Sequence, residues 1–390
     1  MLDVAIIGGG PAGLAAAARL AGRGHGVVVY EEHDGCGAPV HCTGVLAREA
    51  VHDLDLPRQA VLNDLSTVRF VAPSGQDFSY TTPDIEAVVI DRLVFDQALA
   101  ARAVAAGADI RYSRRVTDLA TSAVGARLVL DDGEAVQARA VVLASGASYG
   151  LQRRLDLGMP RSFLQSAQAE LPASRPGAVE IHFGADIAPK GFAWAVPVVR
   201  ETGPHVRIGV MAERDAGLYF TRMLDRVADA WGVDRPEVPE PRRRMLPLST
   251  VRRSYGERLL LVGDAAGLVK PTTGGGIYYS VVSGTLAAEI LDGALASDDL
   301  SATTLREFER RWRREYQREF TAQMALRYLA ERLGDADIDR LFDLARTDGI
   351  MPIVRRTAKF NRHRDFILAL LRHPPARRVL LGQLAGFVHS

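Results

Sequence analysis

Residues 4–32 read VAIIGGGPAGLAAAARLAGRGHGVVVYEE: a short apolar strand, a glycine turn, an alanine-rich helical stretch, and a second apolar strand ending in acid. No other segment limits the fold so tightly. Apolar runs of this kind suit parallel strands buried on both faces, and two parallel neighbours need a crossover helix between them. Gly8 permits the sharp strand-to-helix turn, Gly10 lets a pyrophosphate approach the backbone, and Gly13 lets the helix lie close on the strand. Pro11 and Ala12 open that helix, whose free N–H groups and positive dipole end favour an anion. Glu31 follows Gly13 after seventeen residues, at the strand end from which an acid reaches ribose hydroxyls, with Glu32 beside it. The unit predicts an adenine dinucleotide site.

At 390 residues the chain exceeds what one core usually serves, so a second unit is expected. The net charge of +1 is spread along the sequence, which argues against nucleic acid as a partner. Two cysteines, Cys36 and Cys42, make no disulfide framework and no zinc pattern, so no metal site is expected and a reducing cytoplasm is the default compartment. The first strand begins almost at once, leaving no room for a secretory leader, and no apolar run reaches the roughly 18 residues of a spanning helix.

Beyond Glu32 a glycine- and proline-broken loop leads to a short helical pattern near Leu46. Residues 67–82 alternate as a hairpin turning at Ser74-Gly75, a helix starts at Arg92 and stops at Gly107, and residues 110–130 hold three short strands. The apolar strand from Ala140 to Ala144, ending at Ser145-Gly146, is expected to rejoin the first sheet. From 151 to 250 the pattern is mostly strand, with a helix near 217–231; beyond 300 it is helical and rich in arginine. The expected boundaries are a discontinuous cofactor domain (1–66, 84–150, 250–298), a substrate domain (67–83, 151–249) and a C-terminal helical region (299–390). The fold class is α/β, a Rossmann-like parallel sheet with an interleaved mixed-sheet domain.

A second glycine element, Gly263-Asp264-Ala265-Ala266-Gly267, follows the apolar strand 259–263, about 250 residues after the first. Two clamps so far apart suit an extended FAD better than NAD. Asp264 offers a carboxylate to ribityl hydroxyls, and the helix that follows aims its N-terminus at the cofactor.

With these residues the chain resembles the glutathione-reductase-type flavoproteins, in the branch of aromatic hydroxylases, halogenases and geranylgeranyl reductases. Three patterns are similar to the geranylgeranyl reductases. Pro189-Lys190-Gly191-Phe192-Ala193-Trp194-Ala195-Val196-Pro197 resembles their P-x-x-Y-x-W-x-F-P signature, with Phe192 in place of tyrosine and Val196 in place of phenylalanine. Lys270-Pro271-Thr272-Thr273-Gly274-Gly275-Gly276-Ile277 resembles their proline-led glycine run, and His41-Cys42-Thr43-Gly44 their C-x-G loop. The resemblance implies FAD contacts at Arg92, Gly146, Gly274, Gly275, Gly276 and Ile277 and substrate contacts at Pro271 and Tyr278. Phe192 and Trp194, two apart on a strand, share one face and offer an apolar wall suited to a prenyl chain. Cys42, or a water it orients, is the expected proton donor. Other readings stay open for single residues: Arg92 as a helix-start surface residue, the aromatic pair as ordinary core, Cys42 as an idle thiol.

The expected activity is reduction of isolated C=C bonds in an isoprenoid by reduced FAD, with electrons from NAD(P)H or reduced ferredoxin, because no second nucleotide fingerprint exists. Rival expectations are a monooxygenase or halogenase, and a prenyl-binding protein without catalysis. Residues 351–390 carry eight Lys or Arg against one acid, Asp365, interspersed with leucines. They read either as a contact with the inner face of the membrane or as a helical cap.

Overall fold

The computed structural model describes residues 1–347 and 349–385. Leu2–Ile7 lies at the centre of an eight-stranded sheet, parallel to Val27–Tyr30 on one side and Ala135–Leu143 on the other, with Leu259–Leu261 parallel beyond that. Val4, Ala5 and Ile6 are completely buried, as a strand covered on both faces requires. Val116–Ser122 and Gly125–Leu130 join the same sheet as antiparallel strands. Helix Pro11–Ala21 is crossed by the 20-residue helix Ile277–Ala296. At the crossing a Cβ on Gly284 would stand 2.1 Å from Ala12 O, so only glycine permits the approach.

A seven-stranded mixed sheet runs in the order Arg242–Pro247, Phe163–Pro172, Gly203–Ala212, Phe192–Arg200, Val179–His182, Thr67–Val71, Asp77–Thr81. The last two strands form the hairpin that turns at Ser74-Gly75. Alternation sorts its faces: Ala193, Ala195, Ile208 and Val210 pack under helix Ala216–Trp231, whereas Trp194, Val196, Val198 and Met211 form a separate apolar cluster on the other face. Between the sheets stands a three-stranded one, Val45–Ala47, Ala87–Ile90, Val61–Leu65. Here Leu46 is in a strand rather than the helix the pattern suggested; its backbone pairs with Val88, and the helix starts only at Arg48.

Helix Ala302–Ala330 presses Trp312, Tyr316 and Phe320 around Tyr279, with ring centroids 5.0–5.7 Å away. Helices Asp335–Arg346, Met351–Thr357, Arg364–Arg372 and Pro374–Ala385 follow. They bury Ile350, Met351, Leu370 and Leu380 in one cluster, with Phe78 and Tyr80 of the mixed sheet packed on it. Among the described residues no helix is long and apolar enough to cross a membrane.

Candidate active site

A cavity of about 1490 Å³ is walled by both large sheets, the Cys42 loop and the C-terminal segment around Phe360. It exceeds the roughly 300–1,000 Å³ of an ordinary small-molecule site and has two chemically different ends.

At one end stand both glycine elements. Gly8 has φ +106, and a Cβ there would lie 2.4 Å from Ala144 O; one on Gly13 would lie 2.1 Å from Gly8 O. These two glycines make the turn and the close packing. A Cβ on Gly10 meets nothing within 4 Å, so that residue faces open cavity at the helix start. Gly263 abuts Ala12, with 3.0 Å from its would-be Cβ to that methyl. The two elements, far apart in sequence, therefore adjoin in space.

Gly8, Gly10, Pro11, Ala12, Glu31, Glu32, Arg92, Gly146, Asp264, Gly274, Gly275, Gly276 and Ile277 all line this cavity. Gly13 is not on the wall.

The Asp264 carboxylate has no hydrogen-bond partner among the described residues, and burial pushes its pKa up against the pull of Arg92. An unpartnered acid beside a bare glycine turn and a helix N-terminus fits the hydroxyls and diphosphate of FAD. Glu31 accepts from Gly9 N at 2.7 Å on Oε2 and from His33 N at 3.0 Å and His33 Nδ1 at 2.5 Å on Oε1, which ties the turn to the second strand and leaves one lone pair, on Oε2, for a ribose. Glu32 pairs with Arg115 at 3.5 Å. Arg92 is no surface residue: its side chain is 15% exposed and pairs with Asp96 at 2.8 Å. Burial works against the Arg92 charge, but Asp96 and the adjacent Cys42 outweigh it and raise the pKa.

Cys42 is on the wall, in a loop held from the mixed sheet. Thr43 Oγ1 donates to Gln168 Oε1 at 2.8 Å, and Arg207 Nη1 donates to Thr43 O at 2.6 Å and Ile90 O at 3.0 Å. Glu170 holds Arg207 at 2.7 Å. Gly44 N donates to Cys42 Sγ at 3.3 Å.

The other end is apolar. Phe192 and Trp194 share it, with ring centroids 5.8 Å apart, next to Phe183. Gly209 leaves room for the indole; a Cβ there would come within 2.3 Å of the ring. Leu326, Phe360 and Phe366 close the wall from the C-terminal region. Pro271 is buried away from the wall, and Tyr278 packs on Tyr279 at 5.1 Å; neither lines the cavity.

Three further groups on the wall were not assigned from sequence. Lys270 is 4% exposed; its Nζ donates to Phe360 O at 2.9 Å and lies 4.3 Å from that ring's centroid. Burial lowers its pKa to about 7. A lysine within the otherwise apolar stretch Gly267–Pro271 was the available signal. His363, lowered to about 4 by burial and by Lys270, hydrogen-bonds Thr272 Oγ1 at 2.7 Å. His41, also lowered to about 4 by burial and Arg244, accepts from Arg244 Nη2 at 2.6 Å. Among the described residues no cluster could hold a metal ion.

A family model described as lycopene cyclase protein matches residues 3–172. The chain is 31% identical to digeranylgeranylglycerophospholipid reductase 1 of Methanopyrus kandleri, over 90% of this chain and 98% of that one. To the digeranylgeranylglycerophospholipid reductase of Methanocaldococcus jannaschii it is 26% identical, over 87% and 89%. Among solved structures, a geranylgeranyl bacteriochlorophyll reductase-like protein from Thermoplasma acidophilum superposes with TM-score 0.81 at 24% identity, covering 98% of this chain and 99% of that one. An FAD-dependent myxobacterial chondrochloren halogenase gives TM-score 0.67 at 20% identity, covering 98% and 97%, a likeness of fold.

Proposed function

The chain belongs to the geranylgeranyl reductase family of FAD-dependent oxidoreductases, and on that premise we propose that it saturates the C=C bonds of prenyl chains carried on a glycerophospholipid. The observation that carries this reading is the division of the cavity: two converging glycine clamps with a free carboxylate at one end, an aromatic apolar wall at the other. When bound, FAD supplies the hydride.

The chain's own residues do the rest. The helix N-terminus at Gly10–Ala12 binds the diphosphate and Asp264 holds the ribityl hydroxyls. Glycines 274–276 let the ring lie against backbone. Phe192 and Trp194 order an extended prenyl chain and exclude water, because an isolated alkene has no polar handle by which to be positioned. The electron donor we propose is NAD(P)H or reduced ferredoxin acting from outside the fold. The basic helices after residue 350 serve as a cap that can also rest on an anionic lipid surface.

Anaerobic incubation of the dithionite-reduced protein with a panel of prenyl lipids tests the reading. Product masses should rise by two hydrogens per bond; oxygen-dependent hydroxylation, or no mass gain with any lipid, overturns it. Stopped-flow bleaching of the flavin with NADPH, NADH and reduced ferredoxin identifies the donor.

A further inference from the structure

Adding hydrogen across an isolated C=C bond takes a hydride at one carbon and a proton at the other, and the proton has to be delivered inside an apolar pocket. The glycine run shows where cofactor end and substrate end meet. A Cβ on Gly276 would lie 2.9 Å from Asp264 Oδ1, one on Gly275 2.7 Å from Lys270 Cε, and one on Gly274 3.2 Å from Leu246 and 3.6 Å from Met211 Sδ. In three residues the strip passes from the cofactor carboxylate, past an amine, to the apolar face of the mixed sheet. Lys270 holds the middle position, with a carbonyl and an aromatic face as its neighbours and no carboxylate in ion-pair range among the described residues. Leaving a buried ammonium without a counter-ion is costly and needs a reason beyond packing.

We infer that Lys270 is the proton donor of the reduction, an inference that rests on the reductase reading above. The C=C π bond breaks; one carbon gains the hydride from the reduced cofactor, which is thereby oxidised. The other carbon forms its C–H bond with a proton from the Lys270 ammonium, whose N–H bond breaks. The neutral amine left behind regains a proton from water. Cys42, the donor suggested by its loop, has a different setting: its sulfur accepts from Gly44 N–H and lies against Arg92, and neither neighbour titrates to return a proton.

Lys270 is also suited in its acidity. Burial lowers it, and of the charged groups facing it Glu319 and Glu49 oppose that only in part, which leaves it at about 7. His363, depressed to about 4, is neutral there.

The test uses holoprotein with full FAD, reduced by dithionite and mixed with a digeranylgeranyl glycerophospholipid in micelles, read in single turnovers from pH 5.5 to 9. The wild-type rate should fall as pH rises through about 7. Lys270→Met should lose about a hundredfold or more and lose that pH limb, while its flavin content and visible spectrum are unchanged. Lys270→Arg, which keeps the charge but cannot give up a proton, should be equally slow and guards against a folding defect in the methionine variant. Independently of turnover, trace acetylation of the holoprotein read by mass spectrometry should show Lys270 half-reactive near pH 7. A wild-type rate and profile in Lys270→Met, a pH limb lost only in Cys42→Ser, or an acetylation midpoint near the ordinary 10.5 would each overturn the assignment alone. A wild type that reduces no prenyl lipid overturns the reductase reading and this step with it.

Discussion

On the proposed reading FAD affinity should turn on Asp264, whose half-buried carboxylate lines the cavity with no hydrogen-bond partner among the described residues. Asp264→Ala removes charge-assisted hydrogen bonds to FAD of about 1.5–3 kcal/mol. A fluorescence titration should show FAD binding weakened about tenfold to a hundredfold, while the cofactor-free protein melts no lower than wild type. Acid sensitivity belongs to His41 and His363. Both are held near 4 by burial, against an ordinary 6.5. Between those pH values the unfolded chain binds protons that the folded one refuses, so these residues make stability fall as pH drops from about 6.5 to about 4. Urea unfolding at pH 7 and pH 5 should show the loss, and His363→Gln should lessen it. These environments were not legible in the sequence, because His41 lies against Arg244, 203 residues on, and His363 against Thr272, 91 residues before it. Lys270 was visible but unassigned for the same reason: Phe360, which takes its N–H, comes from a distant helix connection.

At the scale of elements, local signals succeeded wherever the element follows from its own residues. The first βαβ unit, the Arg92 helix with its Asp91 cap accepting from Leu93 N and Val94 N, and the Ser74-Gly75 hairpin all follow local turn, cap and period rules. The short strand Val45–Ala47 escaped because its partner, Ala87–Ile90, is forty residues on, and pairing outweighs a weak helical pattern. That strand follows a glycine of unusual consequence. Gly44 has φ +69, and a Cβ there would sit 2.6 Å from Ile90 O and 2.7 Å from Arg207 Nη1. Gly44→Ala should therefore cost about 1–3 kcal/mol in thermal unfolding and shift the Cys42 loop. Gly133→Ala, with positive φ but open space, should cost less, the strained backbone alone.

Across the whole molecule, two glycine elements were visible in the sequence; the crossing of helices Pro11–Ala21 and Ile277–Ala296 brings them together. Gly284→Val places a branched side chain where even a Cβ is 2.1 Å from backbone oxygen, so the helices must separate. The expected product is a folded but colourless protein that recovers no FAD on titration, and a yellow variant of wild-type affinity would refute this account of the site. The aromatic wall was half legible: the spacing of Phe192 and Trp194 put both on one strand face, but Phe360 and Phe366 entered from a region whose sequence read only as basic and helical.

The crossing at Gly284 also sets an order of events during synthesis. A nascent chain carries its first nucleotide fingerprint from the start, yet possesses no complete socket until the ribosome has passed the seam residue, nearly three quarters of the way along. On the proposed reading flavin incorporation is a late step, and polypeptides terminated upstream of Gly284 should emerge unpigmented.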